Sequence, residues 1–419
     1  MRGLFWFRND LRLHDNPALW HLANQCDELL CVYVVDQSWF NWTAFQSKPL
    51  GPIRWRFICE ALWDLQTSLA SNGHTLLIRS GMPDQVIAEL VKQLSIDAIG
   101  VTPLPGVYEK KHLSVLQTLF PNKRWIIEES FTLLRQDQLP FTFVNLPGSF
   151  TEFRKAVEDL PTALSLVAPS CLPTQIKFDF EGEKLDCGQE TFGSMMPFKG
   201  GETAGFQQLH YYLEATGLVS GYKNTRNGLD GWDFSSKFSP WLAQGCISPR
   251  KVLTDLRAYE RQAGGNESTY WLYFELLWRE YFQWLLYKYG SKLFQLRGTR
   301  NVNPLLTFYP EAFMAWKNGT TESDFVNAFM CQLKMTGWMS NRGRQIVASY
   351  LVNELGVDWR FGAAWFEEQL IDYDPASNWG NWQYLAGVGT DPRGKRQFNI
   401  SKQQQQYDPE LRFIKKYLE

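Results

Sequence analysis

The sequence predicts an α/β protein in two parts: an N-terminal domain with a five-stranded parallel, Rossmann-like sheet, and a C-terminal domain that is all-helical. Two observations support this fold class. Short β-rich runs alternate with amphipathic stretches over residues 1–130, whereas apolar residues recur at helical spacing from residue 200 onward. We therefore assign the domains to residues 1–130 and 200–419, with an inter-domain linker over residues 131–199.

Five short runs in the first domain have the composition of strands. They are residues 3–7, 29–35, 75–79, 98–102 and 124–127. Stretches of helical periodicity between them, such as residues 57–70 and 83–94, imply parallel βαβ units. Instead of GxGxxG, the chain reads WFRNDLR after the first strand. The sequence therefore disfavours a dinucleotide site of the Rossmann type in this domain.

The rest of the chain divides into the linker and the helical domain. The linker contains six prolines and an acidic stretch at residues 179–186, which is typical of a long connector that runs over the surface. Helices are predicted over residues 207–218, 249–262, 270–288, 323–335, 342–355 and 359–370. The second domain is therefore expected to be mostly α.

Composition narrows the class of protein. The 419 residues include 18 tryptophans, and 42 basic side chains nearly balance 44 acidic ones. The longest early apolar run, residues 29–35, falls far short of the roughly 20 residues that span a bilayer, and we expect no signal peptide. Seven scattered cysteines without CxxC spacing predict neither a disulfide framework nor a zinc site, and favour a reducing compartment. We therefore expect a cytoplasmic monomer without a metal.

Histidine is scarce and unevenly placed. The five histidines all lie at or before His210. The helical domain beyond that point therefore has no histidine for acid–base chemistry or for metal binding.

The predicted helix over residues 270–288 carries a charged and aromatic face. Glu275, Trp278, Arg279 and Phe282 are spaced i, i+3, i+4 and i+7, so they share one side of the helix. One interpretation is an ordinary surface Glu–Arg pair. The other is a functional, partly buried pair. The apolar surroundings of this face give the two interpretations equal weight.

Two segments have the composition of a ligand site. Residues 222–239 place Ser235, Ser236 and Ser239 around Lys237, which suits either a phosphate cradle or simple helix caps. Residues 335–347 place Asn341, Arg344 and Gln345 on one side of a helix start. Cations oppose the helix dipole there, so the two arginines of this turn, at 342 and 344, indicate a ligand or a carboxylate partner.

A third segment, DYDPASNWGNWQY at residues 372–384, is rich in acids and aromatic rings. Pro375, Asn378 and Gly380 predict a loop. An Asx-turn with rings packed beneath it would explain the composition. Two acids, an amide and large rings more nearly match the lining of a pocket for a planar ligand.

Together these segments resemble the photolyase/cryptochrome family, and within it the DASH branch. The resemblance rests on LFWFRNDLRLHDNPAL at the start, TRNGLDGWDFSSKFSPWLAQGCISPR, FELLWREYF, TGWMSNRGRQIVASYLVNELGVDWR and the DYDPASNWGNWQY segment. It covers essentially the whole chain. It implies that the helical domain binds FAD and that the N-terminal domain holds an antenna pigment, with 5,10-methenyltetrahydrofolate as the usual one.

The resemblance also implies roles for single residues. Tyr222, Ser235, Ser236, Lys237, Phe238 and Ser239 correspond to the phosphate side of the FAD site, and Arg279, Asn341, Arg344, Asp372, Asp374 and Asn378 to the rest of it. Within that set Arg344 is expected to pair with Asp372, Asp374 to lie near the pyrimidine edge of the flavin, and Asn378 opposite its N5. Glu109 corresponds to an antenna carboxylate, with a solvated loop glutamate as the alternative.

The implied activity is light-driven repair of cyclobutane pyrimidine dimers, preferentially in single-stranded DNA, by electron transfer from excited reduced FAD. Trp278 and Tyr384 would flank a flipped-out dimer and Glu275 would bond its base edges. Candidate DNA contacts are Gln345 and the four cations Arg342, Arg393, Lys395 and Arg396, with a plain solvated charge as the alternative for each cation. The missing histidines argue against repair of (6-4) lesions. The alternatives are a blue-light receptor of the cryptochrome type and, less compatible with the aromatic helical half, an electron-transfer flavoprotein.

One position departs from the family pattern. Light-driven reduction of the flavin runs along three tryptophans in this family, and Trp382 and Trp359 supply the inner two. The outermost position holds Leu306, a saturated side chain that cannot carry the hole. Phe308, Tyr309 and Trp316 are nearby substitutes, of which tyrosine is the best suited chemically. We therefore predict slow or rerouted photoreduction.

Overall fold

A computed structural model describes residues 1–180, 182–187, 197–391, 394 and 396–419. The N-terminal domain contains the predicted parallel sheet, with strands β1 (Arg2–Phe7), β2 (Glu28–Asp36), β3 (Leu76–Gly81), β4 (Ala98–Val101) and β5 (Arg124–Ile127). Their order in the sheet is β3-β2-β1-β4-β5. Strands β2 and β3 are added on one side of β1, and β4 and β5 on the other side. A two-residue strand that the sequence did not predict, β6 (Thr174–Gln175), pairs with the start of β2.

Seventeen α-helices follow in chain order within the described residues. The first domain has α1 (Pro17–Ala23), α2 (Pro52–Ala70), α3 (Pro83–Gln93) and α4 (Val107–Leu119), and the linker has α5 (Phe150–Val157). The helical domain has α6 (Glu202–His210), α7 (Tyr222–Thr225), α8 (Ser239–Ala243), α9 (Pro249–Ala263), α10 (Glu267–Tyr289), α11 (Pro310–Asn318), α12 (Asp324–Thr336), α13 (Asn341–Asn353), α14 (Trp359–Gln369), α15 (Pro375–Ala386), α16 (Ile400–Tyr407) and α17 (Arg412–Leu418). A π-helical turn, Tyr211–Ala215, continues α6.

The sheet separates two apolar cores because alternate strand residues point to opposite faces. Leu4 and Trp6 of β1 join a smaller core with residues of α3 and α4. Phe5 and Phe7 join a large core that includes α2 and continues through the helical domain. The predicted two-part α/β fold is therefore confirmed, and its two parts share one continuous core.

The linker is more than a surface connector, which corrects the interpretation of its prolines. Phe150, Phe153 and Val157 of α5 are buried in the large core. Ahead of them, the backbone N–H groups of Leu133 and Leu134 donate to the buried carboxylate of Glu280 in α10, at 2.7 and 3.1 Å. The first part of the linker therefore packs against the helix that carries Glu275 and Trp278.

The segment after Asp374 is a helix rather than the predicted loop. Asp374 caps α15 by accepting from the N–H of Ala376, and Pro375 occupies the first turn, where its missing N–H is harmless. Gly380 is needed for contact: a β-carbon there would lie 2.3 Å from a ring atom of Phe282. These local features outweigh the turn propensity of the sequence.

A second correction concerns the cysteines. Cys59 of α2 is joined to Cys187 of the linker in a disulfide, with Cα atoms 6.3 Å apart. The two residues are far apart in the chain, so spacing gave no indication of the pair.

Candidate cofactor and substrate site

The carboxylate of Asp374 is fixed at the start of α15 by three donors. One oxygen accepts from the N–H of Ala376, and the other accepts from Ser377 Oγ and, at 2.6 Å, from Gln283 Nε2. Gln283 is fully buried on α10, and its own Oε1 has no protein partner in the described part of the chain. Asp374 is therefore held in one orientation, beside an acceptor that a ligand could satisfy.

Arg344 and Asp372 form the predicted pair. Arg344 Nη2 lies 2.8 Å from Asp372 Oδ2, and its Nε donates to the carbonyl of Met339 at 2.9 Å. The Asp372 carboxylate is almost completely buried, and its second oxygen, Oδ1, has no hydrogen-bond partner among the described residues. Arg344, at the start of α13, thus has the carboxylate partner that its position indicated. Asp372 Oδ1 is left as a buried acceptor that a ligand could satisfy.

Asn378 lies one turn into α15 and is buried. Its Nδ2 donates to the carbonyl of Ala363 in α14 at 3.0 Å, which fixes the side-chain amide. An amide nitrogen has two N–H donors, so this bond leaves the second one for another acceptor. The residue therefore has the neutral donor that its predicted position near flavin N5 requires.

Lys237 is a buried cation among the serines of the predicted phosphate segment. Its side chain is 5% exposed, and its ammonium lies 2.8 Å from Ser235 Oγ and 4.5 Å from the ring centroid of Trp338. Within the described ranges, no carboxylate lies within ion-pair distance of it. Burial lowers the pKa of Lys237 to about 8. The serines do not cap α8, whose N-cap is Phe238 without a side-chain bond.

This environment predicts a pH-dependent affinity for anions. If Lys237 contacts the phosphates, FAD should bind about tenfold more weakly at pH 9 than at pH 7, because the free protein loses the ammonium charge as pH rises through its pKa of about 8. Binding measured by quenching of flavin fluorescence checks this.

Two variants serve as controls for the pH prediction. Lys237→Met should bind FAD weakly and without that pH dependence, whereas Lys223→Met, which removes a lysine paired with Glu267 on the surface, should retain it. Equal pH profiles for the wild type and Lys237→Met would contradict a phosphate contact.

Glu275 does not pair with Arg279, although the two share a face of α10. Its carboxylate instead forms an ion pair with Arg226, the residue that ends α7. Burial raises the pKa of Glu275, and the neighbouring Arg226 opposes that rise. Arg279 donates to the carbonyl of Phe131 at 2.6 Å and lies over the Phe131 ring. The predicted functional carboxylate thus has a partner that helical spacing could not reveal.

Trp278 and Tyr384 lie next to one another at a right angle. Their ring centroids are 5.9 Å apart with an interplanar angle of 83°. Phe150 of the linker stacks on Trp278 with a centroid distance of 3.7 Å and an interplanar angle of 12°. The two rings predicted to flank a planar group are therefore brought together by α10 and α15.

The predicted DNA contacts have different surroundings. Arg396 is bonded to Asp391 and to Tyr384 OH and lies 4.5 Å from the centre of the Tyr384 ring, so it orients that ring. Arg342 donates to Asn227 at 3.2 Å and lies over the ring of Tyr407. Gln345 is partly exposed on α13. Arg393 and Lys395 lie outside the described residues.

The predicted electron-transfer tryptophans are buried. Trp359 is 0% and Trp382 2% exposed. Trp382 contacts the ring of Trp316 at 6.2 Å, and Trp316 is itself fully buried, with its Nε1 donating to the carbonyl of Val347. Tyr309, the chemically preferred substitute, is 53% exposed. Of these two candidate substitutes for the outermost tryptophan, the buried Trp316 is therefore the one whose ring contacts Trp382.

A cavity of about 720 Å³ lies between the two domains. Aromatic rings line it, with the carboxylates of Glu109, Glu367 and Asp374 among its polar groups. Burial raises the pKa of Glu367 to about 7. Arg54, which also lines the cavity, has a buried Nε without a partner within the described sequence. Glu109, at the start of α4, thus lies in a volume large enough for a heteroaromatic ligand.

The sequence did not predict three residues of the site, which are Arg226, Phe150 and Gln283. Gln283 could have been found, because it follows Glu275 and Arg279 on the same face of α10 at i+8 and i+4. Arg226 and Phe150 come from distant segments, and no local pattern marks them. In the described parts of the chain, no helix is both long and apolar enough to cross a membrane, and no cluster of side chains could hold a metal ion.

Comparisons with known proteins identify the family of the chain. The family described as DNA photolyase matches residues 3–171, and the FAD binding domain of DNA photolyase matches residues 271–419. A cryptochrome DASH of Vibrio parahaemolyticus is 47% identical over 417 residues, covering 99% of this chain and 93% of that protein.

Two solved structures share the fold over 100% of this chain. The cryptochrome of Synechocystis has a TM-score of 0.95 and 40% identity, with 89% of its own chain covered. A bacterial class III photolyase from Agrobacterium tumefaciens has a TM-score of 0.87 and 26% identity, with 86% covered. With both domains matched and relatives of this identity along nearly its whole length, the chain belongs to the photolyase/cryptochrome family, in its DASH branch.

Proposed function

We propose that this protein uses blue light to repair cyclobutane pyrimidine dimers, with single-stranded DNA as the preferred substrate. The observation that carries the proposal is the grouping of Trp278, Tyr384 and Glu275: two rings at a right angle beside a carboxylate paired with Arg226. Aromatic rings that stack on a flipped base contribute about 1–3 kcal/mol per base. Unpairing is cheapest in a single strand, which supports the strand preference.

The buried groups of the site fit FAD. Lys237 offers a cation that lacks a carboxylate partner in the described residues, which suits a diphosphate. The unpartnered Oδ1 of Asp372 and Oε1 of Gln283 suit N–H or O–H donors of a ligand. The residues that would hold FAD are Tyr222, Ser235, Ser236, Lys237, Phe238, Ser239, Arg279, Asn341, Arg344, Asp372, Asp374 and Asn378.

Bound reduced FAD would supply the electron that splits the dimer, without acid–base histidine or metal. The chain's own side chains would position the reactants. Asn378 would offer a neutral N–H at N5, and Glu275, paired with Arg226, would accept from the base edge. The absence of histidine after His210 supports dimers rather than (6-4) lesions as the substrate.

We also propose the inter-domain cavity as the antenna site, with methenyltetrahydrofolate as the ligand. Glu109, Glu367 and Arg54 line it, so both charge signs are available to a pterin ring and to its carboxylate tail. Large rings such as Trp42 and Trp379 supply stacking surface.

A repair assay with Trp278→Ala tests the proposed function. Reduced, FAD-loaded wild type should split dimers in light and not in darkness, faster in a single strand than in a duplex. Trp278→Ala should bind dimer-containing DNA roughly tenfold more weakly, because one stacking surface is lost, and should retain FAD. Trp63→Ala, which removes an exposed tryptophan on α2, serves as the control and should behave like wild type.

The outcomes separate the parts of the proposal. No light-dependent splitting on single strands would contradict repair and favour a blue-light receptor. Equal rates on both substrates would contradict only the strand preference, and loss of FAD from Trp278→Ala would contradict its assignment to the DNA side.

A further inference from the structure

Phe150 covers one face of Trp278. The two rings are nearly parallel, with a centroid distance of 3.7 Å, and the other rings in contact with Trp278, those of Phe282, Tyr384 and Tyr281, lie 5.6 to 6.3 Å away. Phe150 is 7% exposed, whereas Trp278 keeps part of its surface accessible. The stack therefore covers one face of Trp278, and the side chain as a whole stays partly exposed.

Phe150 is itself held firmly by contacts between α5 and α10. Its ring meets Phe274 edge-on at 5.1 Å and Tyr281 at 6.0 Å. Ser149 caps α5 by accepting from the N–H of Glu152. A tryptophan stacked on such a ring has few side-chain orientations available to it.

The far end of α5 is also tied to α10. Arg154 forms an ion pair with Glu158 at 2.8 Å and donates to Tyr270 OH at 2.7 Å. Tyr270 and Tyr273 donate in turn to Glu158, at its carboxylate and its backbone carbonyl respectively, each at 2.9 Å. The linker helix therefore cannot slide along α10 without breaking several polar contacts.

We propose that Phe150 is a positioning residue that sets the plane of Trp278 for stacking on the pyrimidine bases of the substrate. The inference rests on the proposed function, since it gives the linker a part in substrate recognition. With Phe150 stacked on one face, Phe282 at an interplanar angle of 28° and Tyr384 standing at a right angle, the exposed part of Trp278 is oriented before a base arrives. Such preorganisation reduces the ordering that binding requires and so favours affinity.

The test compares variants of Phe150 by binding in darkness. FAD-loaded protein is titrated with single-stranded oligonucleotides, with and without one thymine dimer, and fluorescence anisotropy gives Kd. Phe150→Ala should weaken dimer binding roughly three- to tenfold, the range for loss of one aromatic pair. Binding of the undamaged strand and the splitting rate at saturating DNA should stay unchanged, which a merely structural role of Phe150 would not produce.

Three further variants keep the test decisive. Phe150→Leu fills most of the volume without a ring and should weaken dimer binding as Phe150→Ala does, even if the alanine variant folds poorly. Phe150→Tyr keeps the ring and should restore wild-type affinity. Phe143→Ala is the matched control, because Phe143 is another linker ring that stacks on α10, at Tyr287 with a 4° interplanar angle, and it should bind like wild type.

Each outcome has one meaning. A wild type that does not prefer dimer-containing DNA overturns the proposed function and this inference with it. A wild type that prefers the dimer while Phe150→Leu binds it equally well overturns the positioning role alone.

Discussion

Replacing Arg250 by methionine is expected to lower the free energy of unfolding by about 3 kcal/mol, because it leaves the carboxylate of Asp15 buried without its ion-pair partner. Arg250 Nε lies 3.0 Å from Asp15 Oδ2, and their side chains are only 5% and 0% exposed. The value is at the low end of the range for buried pairs because the N–H of Leu166 still donates to the other carboxylate oxygen, at 3.0 Å. Urea unfolding followed by circular dichroism measures it.

The pair matters because it joins the two domains. Asp15 follows the first strand, whereas Arg250 lies in the first turn of α9, and Arg12 beside them donates to the carbonyl of Gly245 at 2.7 Å. Glu202 of α6 accepts from the N–H groups of Leu13 and His14 at 3.0 and 2.9 Å. The N-terminal segment is thus bonded directly to the helical domain, and loosening it should also disturb the cavity between them.

The control for this prediction lies on the same helix. Arg257→Met removes a surface ion pair with Glu260 and should change the unfolding free energy by about 1 kcal/mol or less. A double variant, Asp15→Asn with Arg250→Met, should recover part of the loss, since no unpaired charge then remains. Equal effects of Arg250→Met and Arg257→Met would contradict the buried-charge explanation.

The hydrophobic pattern of the sequence predicted most strands and helices, because each of these elements is set by residues that are close together in the chain. The five strands and the long helix with Glu275 and Trp278 follow from periodicities of 2 and 3.6 residues. The segment after Asp374 failed because residues that usually form turns were recruited to cap and pack a helix: Asp374 at the N-cap, Pro375 in the first turn, and Gly380 against Phe282.

The candidate site was predictable only in part for a different reason. Helical spacing offered Arg279 as the partner of Glu275, yet the structure uses Arg226, which directly follows α7. Phe150 lies far along the chain from Trp278, inside a segment whose prolines suggested an exposed connector. Pairings between distant segments depend on how helices pack, which composition and spacing do not determine. Arg344 and Asp372 were paired correctly only through the family resemblance.

Restoring a tryptophan at position 306 is expected to accelerate light-driven reduction of bound FAD on the order of tenfold, equivalent to about 1.4 kcal/mol in the barrier. The position is next to Trp359: Thr307 pairs with Val357, and the N–H of Asp358 donates to the carbonyl of Thr307 at 2.7 Å. Leu306 packs partly buried against the core at this point. An indole there would extend the proposed route through Trp382 and Trp359, both buried, toward solvent.

Leu305→Trp is the matched control, because the adjacent leucine is 100% exposed and a ring there would point into solvent. Absorbance of the oxidised flavin under blue light gives the reduction rate of each variant. Once chemically reduced, wild type and Leu306→Trp should repair dimers equally, since the role proposed for position 306 concerns the reduction step alone.

The same measurement decides whether another residue already replaces the missing tryptophan. Trp316 contacts Trp382 but is fully buried, and its Nε1 donates to the carbonyl of Val347. An oxidised Trp316 therefore has no contact with water to which it could release a proton. Tyr309 has that contact with water. If the wild type reduces its flavin as fast as Leu306→Trp does, the prediction that the outer electron-transfer residue is missing is wrong. If Tyr309→Phe then slows the reduction and Trp316→Phe does not, Tyr309 is the outer residue. If the wild type is slow and Leu306→Trp is fast, the leucine itself interrupts the proposed route, and the proposed repair would depend on a reductant other than this chain.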